Sequence, residues 1–170
     1  MVNKNKATLL RYLALVPAIL ATLCCCIEDT QYLRFSHIDT NGWEYGDTLI
    51  YHIAPSRVQG RSGINILLHT EGYKYLNIAL NITITQDTTL LYNEQRSYTL
   101  DYNQPKNSIG RRCDYTLPIG NFVLCDTMPT TIALTHQINQ HRLTGIREIG
   151  ISIGTPLREP GEAMWRIEWN

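Results

Sequence analysis

In the stretch YLNIALNITIT, residues 75–85, Leu76, Ile78, Leu80, Ile82 and Ile84 alternate with Asn77, Ala79, Asn81 and Thr83. A helix would scatter these apolar residues around its circumference. A strand sends successive side chains to opposite faces and gathers all five on one side. The segment is therefore a strand with one face on a core and the other toward water. Shorter runs of the same period occur at Leu49-Tyr51-Ile53, Ile64-Ile66-Leu68, Ile132-Leu134 and Ile149-Ile151-Ile153, separated by clusters of Gly, Pro, Asn and Asp. Strands are expected at about 31–38, 47–54, 62–70, 73–86, 95–102, 114–126, 130–138, 147–154 and 164–169. No stretch after residue 26 has a helical period. Amphipathic strands without helices must bury their apolar faces against another sheet. The expected fold is all-β, a single antiparallel β-sandwich of jelly-roll or immunoglobulin-like type, with Trp43 placed to plug one end of its core.

The N-terminus differs. Lys4, Lys6 and Arg11 precede twelve mostly apolar residues from Tyr12 to Leu23, and no acid occurs before Glu28. This is the charged-then-apolar order of an export signal. Spanning a bilayer takes about 20 apolar residues, so the segment is too short to remain as an anchor. It ends in Leu23-Cys24-Cys25-Cys26, which resembles the bacterial lipobox: a leucine, two small residues and a cysteine. The resemblance implies cleavage before Cys26, a diacylglycerol on its sulfur and an acylated amine, and hence attachment to a membrane. No His or acid stands at ligand spacing from these cysteines, which argues against a metal site. The chain divides into a lipoprotein signal (1–25), a lipidated tether (26–31) and the sandwich (32–170).

Loss of the signal removes three of the 15 basic residues and none of the 15 acids, so the mature 145 residues carry a net charge of −3. That length suffices for one domain with its own core. It offers no basic stripe for nucleic acid and no second membrane-spanning segment. Besides Cys26 the mature chain keeps Cys113 and Cys125, and an even pair in an exported protein suggests a disulfide. If Pro118-Ile119-Gly120 forms a three-residue hairpin loop, the two cysteines fall opposite each other, with α-carbons about 4.5 to 5.5 Å apart.

The stretch HQINQHRLTGIREIGISI, His136 to Ile153, resembles the end of the gliding-motility lipoprotein GldH family of Bacteroidetes, with His136, Leu143, Gly145, Ile146, Glu148, Ile149, Gly150 and Ile151 matching its pattern. Earlier segments agree in order: the lipobox, then GWEYGDTLIYHI with Trp43, Asp47 and Leu49, then YKYLNIAL with Tyr73, Tyr75, Asn77 and Leu80. The family's Met-Arg falls at Ile138-Asn139, and its Gly-rich turn near 105–112 is reduced to SIGRRC. The resemblance implies a lipid-anchored, periplasm-facing protein of the cell membrane or outer membrane. It would serve the gliding-motility or type IX secretion apparatus by binding other envelope proteins.

Chemistry is sparse. His37, His52, His69, His136 and His141 could supply a metal site. The closest pair, His136 and His141, is five residues apart and would point to opposite faces of a strand. Asp47, Asp87, Glu148 and Glu162 show no pairing, and no nucleophile, zinc or phosphate-binding motif occurs. The expectation is a protein that is not an enzyme and uses no cofactor or metal. Its partner surface would lie around His136, Asn139, Arg142 and Arg147, where the polar residues of the family-like segment collect. Ten tyrosines and three tryptophans also allow a carbohydrate- or peptidoglycan-binding face. Asp47-Thr48-Leu49, Asp87-Thr88-Thr89 and Asp126-Thr127-Met128 resemble the O-glycosylation signal of exported Bacteroidetes proteins, which would place sugars on Thr48, Thr88 and Thr127.

Overall fold

The computed structural model describes residues 30–100, 107–109 and 112–157. Cys26, the signal and the expected strand 164–169 lie outside them. The described residues form eleven strands and no helix: β1 (Tyr32–His37), β2 (Trp43–Glu44), β3 (Thr48–Ile53), β4 (Gly60–Glu71), β5 (Asn77–Gln86), β6 (Thr89–Thr99), β7 (Asn107–Ile109), β8 (Arg112–Leu124), β9 (Thr130–His136), β10 (Arg142–Leu143) and β11 (Ile146–Gly154). They make a five-stranded sheet, β1-β11-β4-β8-β7, a four-stranded sheet, β3-β9-β5-β6, and a small β2-β10 ribbon.

The pairings nest. β5 pairs with β6 across the turn at Asp87 and Thr88, β4 with β8, β3 with β9, β2 with β10 and β1 with β11, all antiparallel. The chain is thus one long hairpin folded at residues 87–88. Rolling it up adds the β4–β11 and β5–β9 pairings that complete each sheet. Two four-stranded layers wound in this way are a jelly roll, the first of the two sandwich types expected, with β7 added at one edge.

The alternating residues now have partners. Ile64, Ile66 and Leu68 of β4, with Ile149, Ile151 and Ile153 of β11, face Ile78, Leu80, Ile82 and Ile84 of β5, with Ile132 and Leu134 of β9, in one buried cluster. Burying each such side chain contributes about 1.5 to 3 kcal/mol before conformational costs. Trp43 is buried in the core cluster and donates its indole N–H to the Asp47 carbonyl at 3.0 Å. One side of the sandwich is tied by the Tyr51 hydroxyl, which donates to the Ile149 carbonyl at 2.7 Å. On the other side Arg96 and Tyr98 of β6 donate to the Ile119 and Pro118 carbonyls of β8, at 2.7 and 3.1 Å.

The expected hairpin at 118–120 is corrected by this arrangement. Residues 112–124 form one continuous strand whose register along β4 runs from Arg112 opposite Glu71 to Leu124 opposite Gly60. Pro118-Ile119-Gly120 is a bulge, not a turn: Gly120 faces Ile64, Pro118 faces Asn65, and Ile119 is the extra residue. Bulges at sheet margins tolerate proline because no partner strand needs its missing N–H, and β7 pairs only with residues 112–114. Cys113 and Cys125 therefore lie at opposite ends of a strand, about 40 Å apart at 3.3 Å per residue, far beyond the roughly 7 Å that a disulfide tolerates. Both are free thiols.

Candidate functional site

The register of the five-stranded sheet lines up side chains that are remote in sequence. His37 of β1 is opposite Glu148 of β11, Glu148 is opposite His69 of β4, and His69 is opposite Asp114 of β8. All four belong to the face turned away from the core, since on β4 Ile66, Leu68 and Thr70 are buried while Leu67, His69 and Glu71 are half-exposed. The result is a row in which imidazoles and carboxylates alternate. His69 Nδ1 lies 3.2 Å from Glu148 Oε2, and its Nε2 lies 3.9 Å from Asp114 Oδ1. These side chains are 36 to 43% exposed, so each contact stabilises the fold by no more than about 1 kcal/mol.

One step along the sheet the row is bordered by a second charged group. Arg147, the residue bulged out between Ile146 and Glu148, donates from Nε to Glu71 Oε2 at 2.8 Å, and Arg112 Nε lies 3.7 Å from the same oxygen. The hydrogen bond and charge of Arg147 hold the Glu71 carboxyl below the usual carboxylate range. Together the two groups line an open cleft of about 480 Å³. On the row's other flank Phe35 stacks on His69, with ring centroids 4.7 Å apart and planes at 29°. Phe35 can lie flat because its neighbour on β11 is Gly150, where an added Cβ would come within 2.6 Å of the ring. Among the described residues no group of three His, Cys, Asp or Glu is disposed to hold a metal ion.

The surface expected around His136, Asn139, Arg142 and Arg147 is not assembled. His136 is fully buried: its Nε2 is 3.1 Å from the Trp43 carbonyl, and the Trp43 and Tyr45 rings meet it edge-on at 5.1 and 5.6 Å. It belongs to the core because β9 keeps strict alternation to its end, which sends every even residue inward. Asn139 and Arg142 are exposed, and Arg142 pairs with Glu44 at 3.6 Å. Arg147 alone of the four reaches the cleft. Periodicity extended one step further would have found His136. Phe35, Asp114 and Arg112 carry no local signal, since only strand pairing brings Asp114 and Arg112 to the cleft and Phe35 onto His69.

Burial depresses the His136 pKa, so the folded state resists a proton that the unfolded chain accepts. Its contribution is intact above the unfolded value of about 6.5 and declines as pH falls from there toward the folded pKa. Denaturant midpoints should fall between about pH 7 and 5, and a His136→Gln variant should show a smaller fall over the same window. Equal slopes for the two proteins would remove His136 as the cause.

The two thiols should differ in reactivity. Cys125 is exposed, and its Sγ lies 3.1 Å from the Thr127 hydroxyl, whose hydrogen bond lowers the thiol pKa. Cys113 is half-buried. Iodoacetamide should label both residues without prior reduction, Cys125 first, and peptide mapping gives the order. Labelling that requires a reductant would restore the disulfide.

Among the described residues the aromatic pairs Tyr73–Tyr75 and Tyr92–Phe122 meet edge-to-face, which leaves no flat pair of rings for a sugar in either.

A family model described as GldH lipoprotein matches residues 30–153. No curated protein matches the chain. Solved structures that match include BtGH115A, a family GH115 4-O-methyl-α-glucuronidase with specificity for decorated arabinogalactans, at 10% identity and a TM-score of 0.41, covering 73% of this chain and 16% of that one. Another is dimeric latent PorU from Porphyromonas gingivalis, at 13% identity and a TM-score of 0.31, covering 81% and 14%. A third is the T13 viral particle of IBDV, at 13% identity and a TM-score of 0.30, covering 75% and 30%. The chain thus spans less than a third of each of these structures, and their low TM-scores carry no functional argument.

Proposed function

Because the chain belongs to the GldH lipoprotein family, whose members are gliding-motility-associated lipoproteins anchored in the cell envelope, we propose that it serves as a lipid-anchored scaffold of the gliding or type IX secretion machinery. In this reading it acts by binding protein rather than by catalysis, and its lipid sits on Cys26. Confinement to a membrane plane raises the effective concentration of neighbours, so a weak contact suffices.

The observation that carries the reading is the outer face of the five-stranded sheet, where side chains from β1, β4, β8 and β11 converge on one charged, half-exposed cleft. Its row begins at His37, the end of β1 away from the lipidated terminus and about 16 Å along the strand from Tyr32. The outer face of the four-stranded sheet is less charged, with Thr48 and Thr135 beside Asn81, and the exposed Ile50 with Ala133 and Thr83 beside Asn93.

A photo-crosslinker at Thr116, exposed on the cleft-bearing face, should trap envelope proteins in the native host. The same group at Asn93 should not. Crosslinks from Asn93 alone would move the surface to the other sheet, and none from either would refute the scaffold reading. Thr48, Thr88 and Thr127 are all exposed, as enzymatic glycosylation requires, and intact mass of the delipidated host protein reports whether they carry sugar.

A further inference from the structure

The described residues of the cleft carry five formal charges of unequal standing. Arg112 and Arg147 are both engaged with Glu71, at 3.7 and 2.8 Å. Asp114 and Glu148 instead share His69 as their ionic partner, at 3.9 and 3.2 Å. A neutral imidazole has a single N–H and can donate to only one of the two carboxylates, so with His69 uncharged this half of the cleft holds two carboxylates without a balancing cation among the described residues. Beside them lies the Phe35–His69 stack, 4.7 Å between centroids, an aromatic surface of the kind on which a guanidinium or ammonium group packs favourably.

We infer that this cleft receives an arginine or lysine side chain from an extended segment of a protein partner, its cationic head held between Asp114 and Glu148 against the Phe35–His69 stack. The inference rests on the reading of the chain as a protein-binding scaffold and names the chemistry of the segment it binds. Charge complementarity selects this occupant. Among the described residues, three carboxylates against two arginines leave the cleft one net negative charge with neutral imidazoles. An acidic segment would have to displace Glu71 from Arg147, breaking the shortest ion pair in the cleft.

The same row makes binding pH-dependent. His69 faces Glu148 from β11 and Asp114 from β8, with Phe35 of β1 stacked on it, Glu71 two residues away on its own strand, and Arg112 and Arg147 beyond. His37 stands opposite Glu148. Imidazoles change charge between about pH 5 and 8. With His37 and His69 both protonated, the net charge of the cleft's described residues inverts from −1 to +1. The carboxylates are then satisfied internally and a cationic guest is repelled.

The test uses the mature lipoprotein in detergent micelles with its histidine rings isotopically labelled for NMR. The probes are acetyl-Gly-Arg-Gly-amide, its citrulline analogue and acetyl-Gly-Glu-Gly-amide. The arginine peptide should shift the His69 and His37 ring resonances saturably, with a Kd on the order of 1 mM. The citrulline and glutamate peptides should bind at least about tenfold more weakly, and so should the arginine peptide near pH 5.5. The combined Asp114→Asn and Glu148→Gln variant should lose binding near pH 7.5 while keeping wild-type dispersion elsewhere. The pH comparison needs no variant and stands if that protein fails to fold. Equal binding of the glutamate peptide, no weakening near pH 5.5 or undiminished binding by a folded variant would each overturn the inference. If the variant is crosslinked to envelope partners at wild-type yield, the cationic-guest inference alone fails. If the wild-type protein is crosslinked to none, the scaffold reading fails with it.

Discussion

Replacing Gly145 by alanine should cost at least about 3 kcal/mol of the 5 to 15 kcal/mol that stabilises a domain. Gly145 has φ +88°, a region that residues with a side chain rarely adopt. Its surroundings add a second obstacle. A Cβ there would come within 2.6 Å of the Tyr73 α-carbon, 2.7 Å of the Tyr73 nitrogen and 3.0 Å of the Gly72 carbonyl carbon. These are backbone atoms, so no rotamer change relieves the overlap. The backbones cannot separate cheaply either. The Glu71 N–H donates to the Gly145 carbonyl at 2.8 Å, and Leu143 and Ile146 on either side are buried. Overpacking and backbone strain cost about 1 to 3 kcal/mol each. Gly46 is the internal control, since it has almost the same φ, +89°, with nothing within 4 Å of its Cβ position. A Gly46→Ala variant should lose only the conformational part, about 1 kcal/mol. Urea unfolding of both variants isolates the close approach. If Gly145→Ala is no less stable than Gly46→Ala, the contact with Tyr73 is not why this turn carries glycine.

Cys26→Ser should abolish palmitate labelling and release the protein from the membrane fraction. The residue lies outside the described part of the fold, and the expectation comes from Leu23-Cys24-Cys25-Cys26 and from the lipoprotein family to which the chain belongs. A multiply acylated cysteine gains about 0.8 kcal/mol per buried CH₂, and no polar contact of the sandwich replaces that. Among the described residues no helix is long and apolar enough to cross a membrane. The tether is short: three residues separate Cys26 from Thr30, a reach of about 14 Å over four steps at full extension. The β-sandwich should therefore unfold at the same denaturant concentration with or without the lipid. Persistent labelling of the variant would move the modified residue to Cys24 or Cys25.

Sequence alone determined what depends on neighbours a few residues away. The alternation of Ile78, Leu80, Ile82 and Ile84 fixes β5 and its buried face, and the same period locates β3, β4, β9 and β11. It located β6 only in part, at about 95 instead of Thr89, because that edge strand is exposed or half-exposed along its whole length and buries no alternate row. The order of lipobox, GWEYGDTLIYHI and the Gly145–Ile151 segment gave the family. The glycines of that segment have local spacing but tertiary reasons: Gly145 meets the backbone of Tyr73, and Gly150 lies under Phe35. What tertiary structure decided is which strands meet. A proline and a glycine two residues apart are equally compatible with a turn and with a bulge, and pairing with β4 along its whole length made residues 112–124 a single strand and separated Cys113 from Cys125. The fourfold row is of the same kind. His69 and Glu148 are 79 residues apart and become neighbours because a hairpin folded at residues 87–88 rolls β11 back against β4. Side-chain period is a property of one strand and can be read along the chain. Register between strands is set by burying all the apolar faces together, and no local pattern contains it.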